Sequence, residues 1–411
     1  MHKSIKPIIL SSHFLIGRSP LGQQIRGLVE GLERFNYEPT IVCIDDHGNI
    51  EWNYSRAELV QLRQSLIIKW IIAIIRRILP DLSFLPDTEY YSWGGKAYRR
   101  SLSLLTSEKF DYIHSVSFSC ACHLVGLKLK HKTGLPWIVH CYDPWYDNPD
   151  RRFKTKFLKK KDLEMESKVA KNADAIILYS ERMYNIWSTR YGKDISKKIV
   201  YIPMSVKEDG LATTYKRECG TPLQISHIGN FVLKRNSSQF IEAVSILLNK
   251  RPDLRGKFVV NYVGRSVETD LDMIRRKELS DVFNIVGLIP EEKCKDYYQK
   301  ADIFLAIDAT YVNNVFYPSK VIKYFYYRKP ILGISPNGGV LSEELNKSRH
   351  SCFDNKDIHG IVSFLERALD DYESLLSFDM HYWEQFSLSH VVAKYNEVVE
   401  KLIDKPVTTK E

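Results

Sequence analysis

Between Asn284 and Leu345 the chain reads NIVGLIPEEKCKDYYQKADIFLAIDATYVNNVFYPSKVIKYFYYRKPILGISPNGGVLSEEL, and this stretch constrains the fold more than any other. Ile303–Ile307 is a short apolar run of the length expected for a strand buried on both faces of a parallel sheet. A polar loop follows, and Pro318-Ser319-Lys320 then opens a periodic segment. Proline suits the first helical position, where its missing N–H would have had no partner. A helix start of this kind presents free N–H groups together with a hydroxyl (Ser319) and an ammonium (Lys320), a combination that suits phosphate. Pro330–Ile334 reads as the next strand, and Asn337-Gly338-Gly339 as a loop where backbone can approach a ligand closely. The same residues also fit a plain βαβ scaffold with a surface lysine.

The β-loop-α rhythm extends in both directions. Upstream, strands are expected at Pro7–Ser12, Thr40–Ile44, Tyr112–His114, Trp137–His140, Ala175–Tyr179 and Ile199–Ile202, with a helix from Leu21 to Arg34 and Gly22 at its start. Residues 203–221 lose apolar periodicity and read as a linker. Beyond it, Leu223–His227, Phe258–Val263 and Asn284–Val286 read as strands, and Ser237–Asn249, Ile358–Leu369 and Ser389–Leu402 as helices. With 411 residues two domains are expected. The boundaries read from the chain are 1–205, 206–375 and a C-terminal helical segment 376–411. The fold class expected is α/β, two doubly wound Rossmann-like domains, with ligands at the carboxyl ends of the strands.

Hydrophobic residues make up 44% and charged residues 27%, enough to bury a core. The net charge of +9 permits anionic sugar nucleotides, membrane surfaces or nucleic acid as partners. Nucleic acid is disfavoured, because the cations are not interleaved with aromatics on a recognisable binding module. Residues 57–80, containing LVQLRQSLIIKWIIAIIRRIL, read as a basic amphipathic helix. Such a helix lies in a membrane interface or packs on the sheet with its charges outward. A second basic run, RRFKTKFLKKK at 151–161, is a solvated helix face by default and strengthens lipid docking when beside the first. No apolar run reaches the roughly 18 residues needed to span a bilayer. The start, Met1-His2-Lys3 before PIILSS, lacks the features of a secretory leader, so the expected location is cytoplasmic, possibly peripheral on the inner membrane face. Cys43, Cys120, Cys122, Cys141, Cys219, Cys294 and Cys352 contain no CxxC pair, and buried free thiols are expected. The spacing in Cys120-Ala121-Cys122-His123 is too tight for a standard zinc site, and no metal is expected.

The order Gly287-Leu288-Ile289-Pro290, Tyr297-Tyr298 with Ala301-Asp302-Ile303, Phe316-Tyr317-Pro318-Ser319-Lys320, Lys329-Pro330-Ile331-Leu332 and Asn337-Gly338-Gly339 resembles the donor domain of family-four retaining glycosyltransferases of the GT-B fold. The resemblance implies a nucleotide-diphosphate sugar as co-substrate and a donor site at Gly229, Lys234, Arg235, Gly287, Leu288, Asp308, Ser319, Lys320, Lys323, Gly338 and Gly339. PWIVHCYDPW at 136–145 resembles a region of a subset of these enzymes and makes His140 and Asp143 candidates to orient the sugar or the acceptor hydroxyl. Each also has a bland reading, as a cap of the strand and of the turn after it. Gly22 and Ser117 are expected on the acceptor side.

One departure from the family pattern stands out. The family carries two glutamates eight positions apart, and counting back from Pro330 places Val315 and Lys323 there. An ammonium in place of a ribose-binding carboxylate removes two acceptors and reverses the local charge. Asp308 is the nearest substitute. The function expected is transfer of a hexose-type unit, with retention, to a glycan acceptor linked to lipid. An inactive GT-B partner protein or a sugar-nucleotide epimerase are the rivals.

Overall fold

The computed structural model describes residues 4–404 apart from 16–18, 46–51, 53–54, 80–86, 118–119, 152, 154, 211, 213–216, 218–219, 232–233 and 312–313. The chain forms two compact units, Met1–Ser205 with Phe386–Glu411, and Val206–Gln385. Residues 376–385 therefore belong with the second unit, and the boundary read at 375/376 falls ten residues later, after Gln385.

The first unit holds seven parallel strands: β1 Pro7–Leu10, β2 Thr40–Ile44, β3 Glu58–Leu62, β4 Tyr112–Ser117, β5 Trp137–Cys141, β6 Ala175–Leu178 and β7 Ile199–Tyr201. Their order across the sheet is β3-β2-β1-β4-β5-β6-β7. Its helices are α1 Pro20–Gly31, α2 Leu66–Ile78, α3 Gly95–Ser107, α4 Cys120–Thr133, α5 Lys156–Asn172, α6 Glu181–Tyr191 and the short α7 Lys193–Ser196. Strand order reverses between β1 and β4, and right-handed crossovers place α1 on one face of the sheet and α2 to α6 on the other. On the second face α3 packs on α4 and α4 on α5.

The second unit holds β8 Leu223–Ile228, β9 Phe258–Val263, β10 Phe283–Gly287, β11 Ile303–Ile307, β12 Ile331–Ile334 and β13 Ser351–Phe353, all parallel in the order β10-β9-β8-β11-β12-β13. Its helices are α8 Ser238–Lys250, α9 Glu268–Arg276, α10 Glu291–Lys300, α11 Lys320–Tyr326, α12 Val340–Lys347 and α13 Ile358–Asp370. The switch point lies between β8 and β11, whose Ile225 and Ser226 face Ile303 and Phe304 in register. The last helix, α14 Leu388–Ile403, buries Val391, Val392, Tyr395, Val398, Val399 and Leu402 against Leu28, Leu32, Tyr112, Ile138 and Ile177 of the first unit. That spacing is one helical stripe. Gly31 leaves room for α14: a Cβ there would run into Val392 Cγ2.

The main local correction falls on 57–80, which is two elements. Glu58–Leu62 pairs with Thr40–Ile44 as the edge strand β3, burying only Val60. Helix α2 starts at its own cap, where Ser65 Oγ accepts from the Ile68 N–H at 3.4 Å. Pro318 also falls outside its helix: Ser319 is the N-cap of α11 and Lys320 its first residue.

Candidate active site

The two strands flanking the switch point of the second sheet end in His227-Ile228-Gly229 and Ile307-Asp308, and helix α11 brings Lys320 to them. His227 Nδ1 lies 2.9 Å from the Leu305 carbonyl, so this nitrogen carries the proton and donates. That leaves Nε2 as an acceptor for the Lys320 ammonium, 3.0 Å away. The imidazole is buried, stacked on Phe231 at 4.1 Å, and burial together with the Lys320 charge keeps it neutral. Gly229 allows this close passage. Its φ is +139°, and a Cβ would stand 2.6 Å from Lys320 Nζ. Tyr324, one turn along α11, accepts from the Ile228 N–H at 2.9 Å and locks the helix to the strand end.

Arg235 completes the group. Its guanidinium sits 3.6 Å from Asp308 Oδ1, and its Nε is buried with no hydrogen-bond partner among the described residues. Burial, and next the Arg235 charge, drive the Lys320 ammonium well below the ordinary lysine range. Asp308 opposes both cations, yet burial raises its own carboxyl despite Arg235. Two cations are thus held beside one carboxylate, with a buried N–H donor to spare. An anion relieves the repulsion and satisfies the donor.

Asp308, the candidate ribose acceptor, already has protein partners on both oxygens. Oδ1 accepts from the Ala309 N–H at 2.8 Å and Oδ2 from Ser335 Oγ at 3.2 Å; its work is to hold Arg235. Lys323 does not reverse the local charge. Its ammonium lies 3.6 Å from Asp209 Oδ2 and over the Tyr298 ring at 4.7 Å, and Asp209 also accepts from Tyr327 at 2.8 Å. Val315 is buried. Lys234 is exposed, with Nζ over Tyr311 at 4.9 Å, and Ser319 is an exposed cap making no side-chain cap bond. Ser335 also leads to the glycine loop: a Cβ on Gly339, the N-cap of α12, would stand 3.1 Å from Ser335 Oγ. Gly338 takes φ +74°. The Val340 N–H donates to the Asn314 carbonyl at 3.3 Å, and the amides of Leu341 and Ser342 lie in the first turn, where a helix supplies no internal acceptor. At the end of β10, Gly287 takes φ +74° and Leu288 is 65% exposed, an apolar surface left open. His227, Phe231, Tyr324 and Ser335 escaped the sequence reading, although a histidine inside the apolar run Leu223–Ile228 was a visible anomaly.

In the first unit, His140 lies within β5, as the strand expected at Trp137–His140 implies, pairing with Val116 and Ile177. Its ring is buried between His114 (5.5 Å) and Tyr142 (4.3 Å). Neither nitrogen has a partner among the described residues, and burial holds it neutral. Asp143 follows at the strand end. Surrounding protein pushes its carboxyl up to about 6, against the opposing pull of His13, although the residue keeps some solvent contact. Its loop is pinned from below by two buried acids of α5. Asp162 accepts from Trp145 Nε1 at 2.9 Å, and Glu166 accepts from the Tyr146 N–H at 2.8 Å. Gly22 spends its N–H on the α1 cap, donating to Ser19 Oγ at 3.3 Å. Ser117 ends β4, and its side chain lies outside the described residues, as does Gly17. Cys122 and His123 take separate partners, the Ser12 N–H and Ser115 Oγ.

Residues 21–209 match the profile of Glycosyltransferase Family 4. Over this stretch the chain is similar to Glycosyltransferase Family 4. Over the whole chain the fold is GT-B. Sucrose-phosphate synthase from Thermosynechococcus elongatus superposes with a TM-score of 0.69 at 14% identity, over 98% of this chain and 100% of that one. Anabaena HepE, solved with UDP-glucose, gives 0.63 at 11% identity over 97% and 100%. The lipopolysaccharide outer core galactosyltransferase WaaB gives 0.63 at 13% identity over 97% and 99%. No curated protein sequence matches. The matched residues include His140 and Asp143, while the group of Arg235, Asp308 and Lys320 lies at the other sheet.

Proposed function

We propose that this GT-B chain transfers a sugar from a nucleotide-diphosphate sugar to a glycan acceptor linked to lipid, with retention of configuration, at the inner membrane face. One observation carries the reading: Arg235 and Lys320 stand beside a single carboxylate, with a buried guanidinium N–H that has no partner among the described residues, at the carboxyl ends of β8 and β11 beside the switch point. In the transfer the bond between the anomeric carbon and the diphosphate oxygen breaks. Negative charge grows on the departing diphosphate, where fixed cations stabilise it most. The acceptor hydroxyl forms the new bond to that carbon, and its proton balances the charge leaving with the diphosphate. Arg235, Lys320 and the first-turn amides of α12 meet the diphosphate, exposed Leu288 offers a face to the base, and Lys234 and Ser319 line the approach. Asp143, with a carboxyl near 6, is suited to orient the acceptor or sugar hydroxyls, with His140 behind it. HepE binding UDP-glucose and WaaB acting on lipopolysaccharide support the substrate classes.

The test is a titration with UDP, GDP, dTDP and ADP followed by melting temperature, then incubation with the sugar nucleotide of the stabilising base. Stabilisation by one diphosphate, lost in Arg235→Ala, with release of that diphosphate on turnover, supports the reading. Binding without turnover favours an inactive GT-B partner protein, and no binding at all overturns the donor site.

A further inference from the structure

Helix α2 meets the rest of its unit with a narrow face. Ile68 and Ile75 are half-buried and Ile72 is buried, whereas Leu66, Ile67, Trp70, Ile71, Ile74 and Ile78 stand exposed, Ile67 and Trp70 at 74%. At 100° per residue these six fall in one continuous stripe. Lys69 and Arg77 are exposed; in projection Lys69 lies to one side of the stripe and Arg77 falls within its edge, between Leu66 and Trp70, and no acidic residue occurs from Leu59 to Leu79. A solvent-facing helix would carry the opposite pattern. The first turns of α5, in the same helical layer, add exposed Lys156, Lys159, Lys160 and Lys161 around Phe157, which is 64% exposed. The layer is continuous: α2 packs on the turn Tyr90–Gly94, that turn on α4, and α4 on α5.

We infer that this face is a docking surface for an anionic lipid bilayer, with α2 lying in the plane of the interface. Thirteen residues give a helix about 20 Å long, too short for the roughly 30 Å hydrocarbon layer, and no helix among the described residues is long and apolar enough to cross a membrane. The apolar stripe inserts at the headgroup boundary with Trp70 at its centre, and the lysines meet acidic headgroups. Charge selects the occupant: a second copy of this chain would bring the same cations against these, whereas acidic lipid complements them. The inference deepens the proposed lipid-linked acceptor, but its test needs neither donor nor turnover, so the two fail separately.

The experiment is co-sedimentation of the full chain with vesicles of phosphatidylcholine alone and of phosphatidylcholine with phosphatidylglycerol, beside sedimentation velocity without lipid. Preferential binding to the acidic vesicles, weakened by salt, is expected. It should fall about tenfold or more in Ile67→Glu/Ile74→Glu and about fivefold per cation removed in Lys159→Ala/Lys160→Ala. All substituted side chains are exposed, and unchanged melting temperatures confirm folding. Equal binding to both vesicle types, no binding to either, or a dimer in solution that the glutamates dissolve would overturn it.

Discussion

Two cations crowded beside one carboxylate is an arrangement that folding alone disfavours. With its ammonium held below the ordinary lysine range by burial and by Arg235, Lys320 binds fewer protons folded than unfolded between that depressed value and about 10.4. Stability therefore rises with pH through the window, and at neutral pH the lysine is a burden. Lys320→Met should melt higher than the parent at pH 7 without ligand, yet lose the rise produced by the nucleotide diphosphate; a variant that loses both would mark Lys320 as purely structural. The sign runs the other way along the pH axis at Asp143. Its carboxyl moves from 3.8 to about 6, so its contribution is fully present below pH 4 and lost as pH rises through 6. Asp143→Asn should be more stable at pH 8, by roughly 1–3 kcal/mol after allowing for its partial exposure, and equal to the parent near pH 3.5. Paired thermal melts at the two pH values check this. At this scale the sequence disclosed residue types but not partners. Lys320, Arg235 and Asp308 were all legible as candidates. That Asp308 serves Arg235, and Asp209 serves Lys323, depended on side chains meeting across 73 and 114 positions of chain.

Strands β8, β9 and β11 and helices α8 and α13 were readable almost to the residue, because apolar periodicity is set by burial on one or both faces. The edge strand β3 was not. An edge strand buries little, here Val60 alone, so its pattern merges with the apolar helix that follows. The glycines mark where elements approach most closely. Gly229→Ala forces a side chain into φ +139° and against Lys320 Nζ. It should cost roughly 1–3 kcal/mol and weaken diphosphate binding, measured by denaturant melts and by the thermal-shift titration. At Gly31 the backbone is ordinary helix, and only Val392 objects. Gly31→Val should destabilise by about 1–3 kcal/mol through overpacking, and Gly31→Val/Val392→Ala should recover part of it.

At the scale of the molecule, α14 is the last element in sequence and part of the first unit in space. The row Tyr112–Tyr395–His114, with contacts of 3.0 and 2.9 Å, ties it to β4 beneath its buried stripe. Truncation before Leu388 would expose that stripe's partners, each large side chain carrying roughly 1.5–3 kcal/mol. The shortened chain should aggregate or melt at least 10 °C lower on a scanning calorimeter. The sequence by itself determined the α/β class, the two doubly wound sheets and most of their strands, because these follow from local periodicity and turn chemistry. It also singled out Arg235 and Lys320 as candidates, because the ends of parallel strands are where ligand-binding residues collect. Tertiary structure alone decided which carboxylate answers which cation, that His140 is buried between His114 and Tyr142, and that the apolar stripe of α2 faces outward. Those outcomes depend on long-range packing: burial, and with it charge state and exposure, belongs to the neighbours a residue acquires in space.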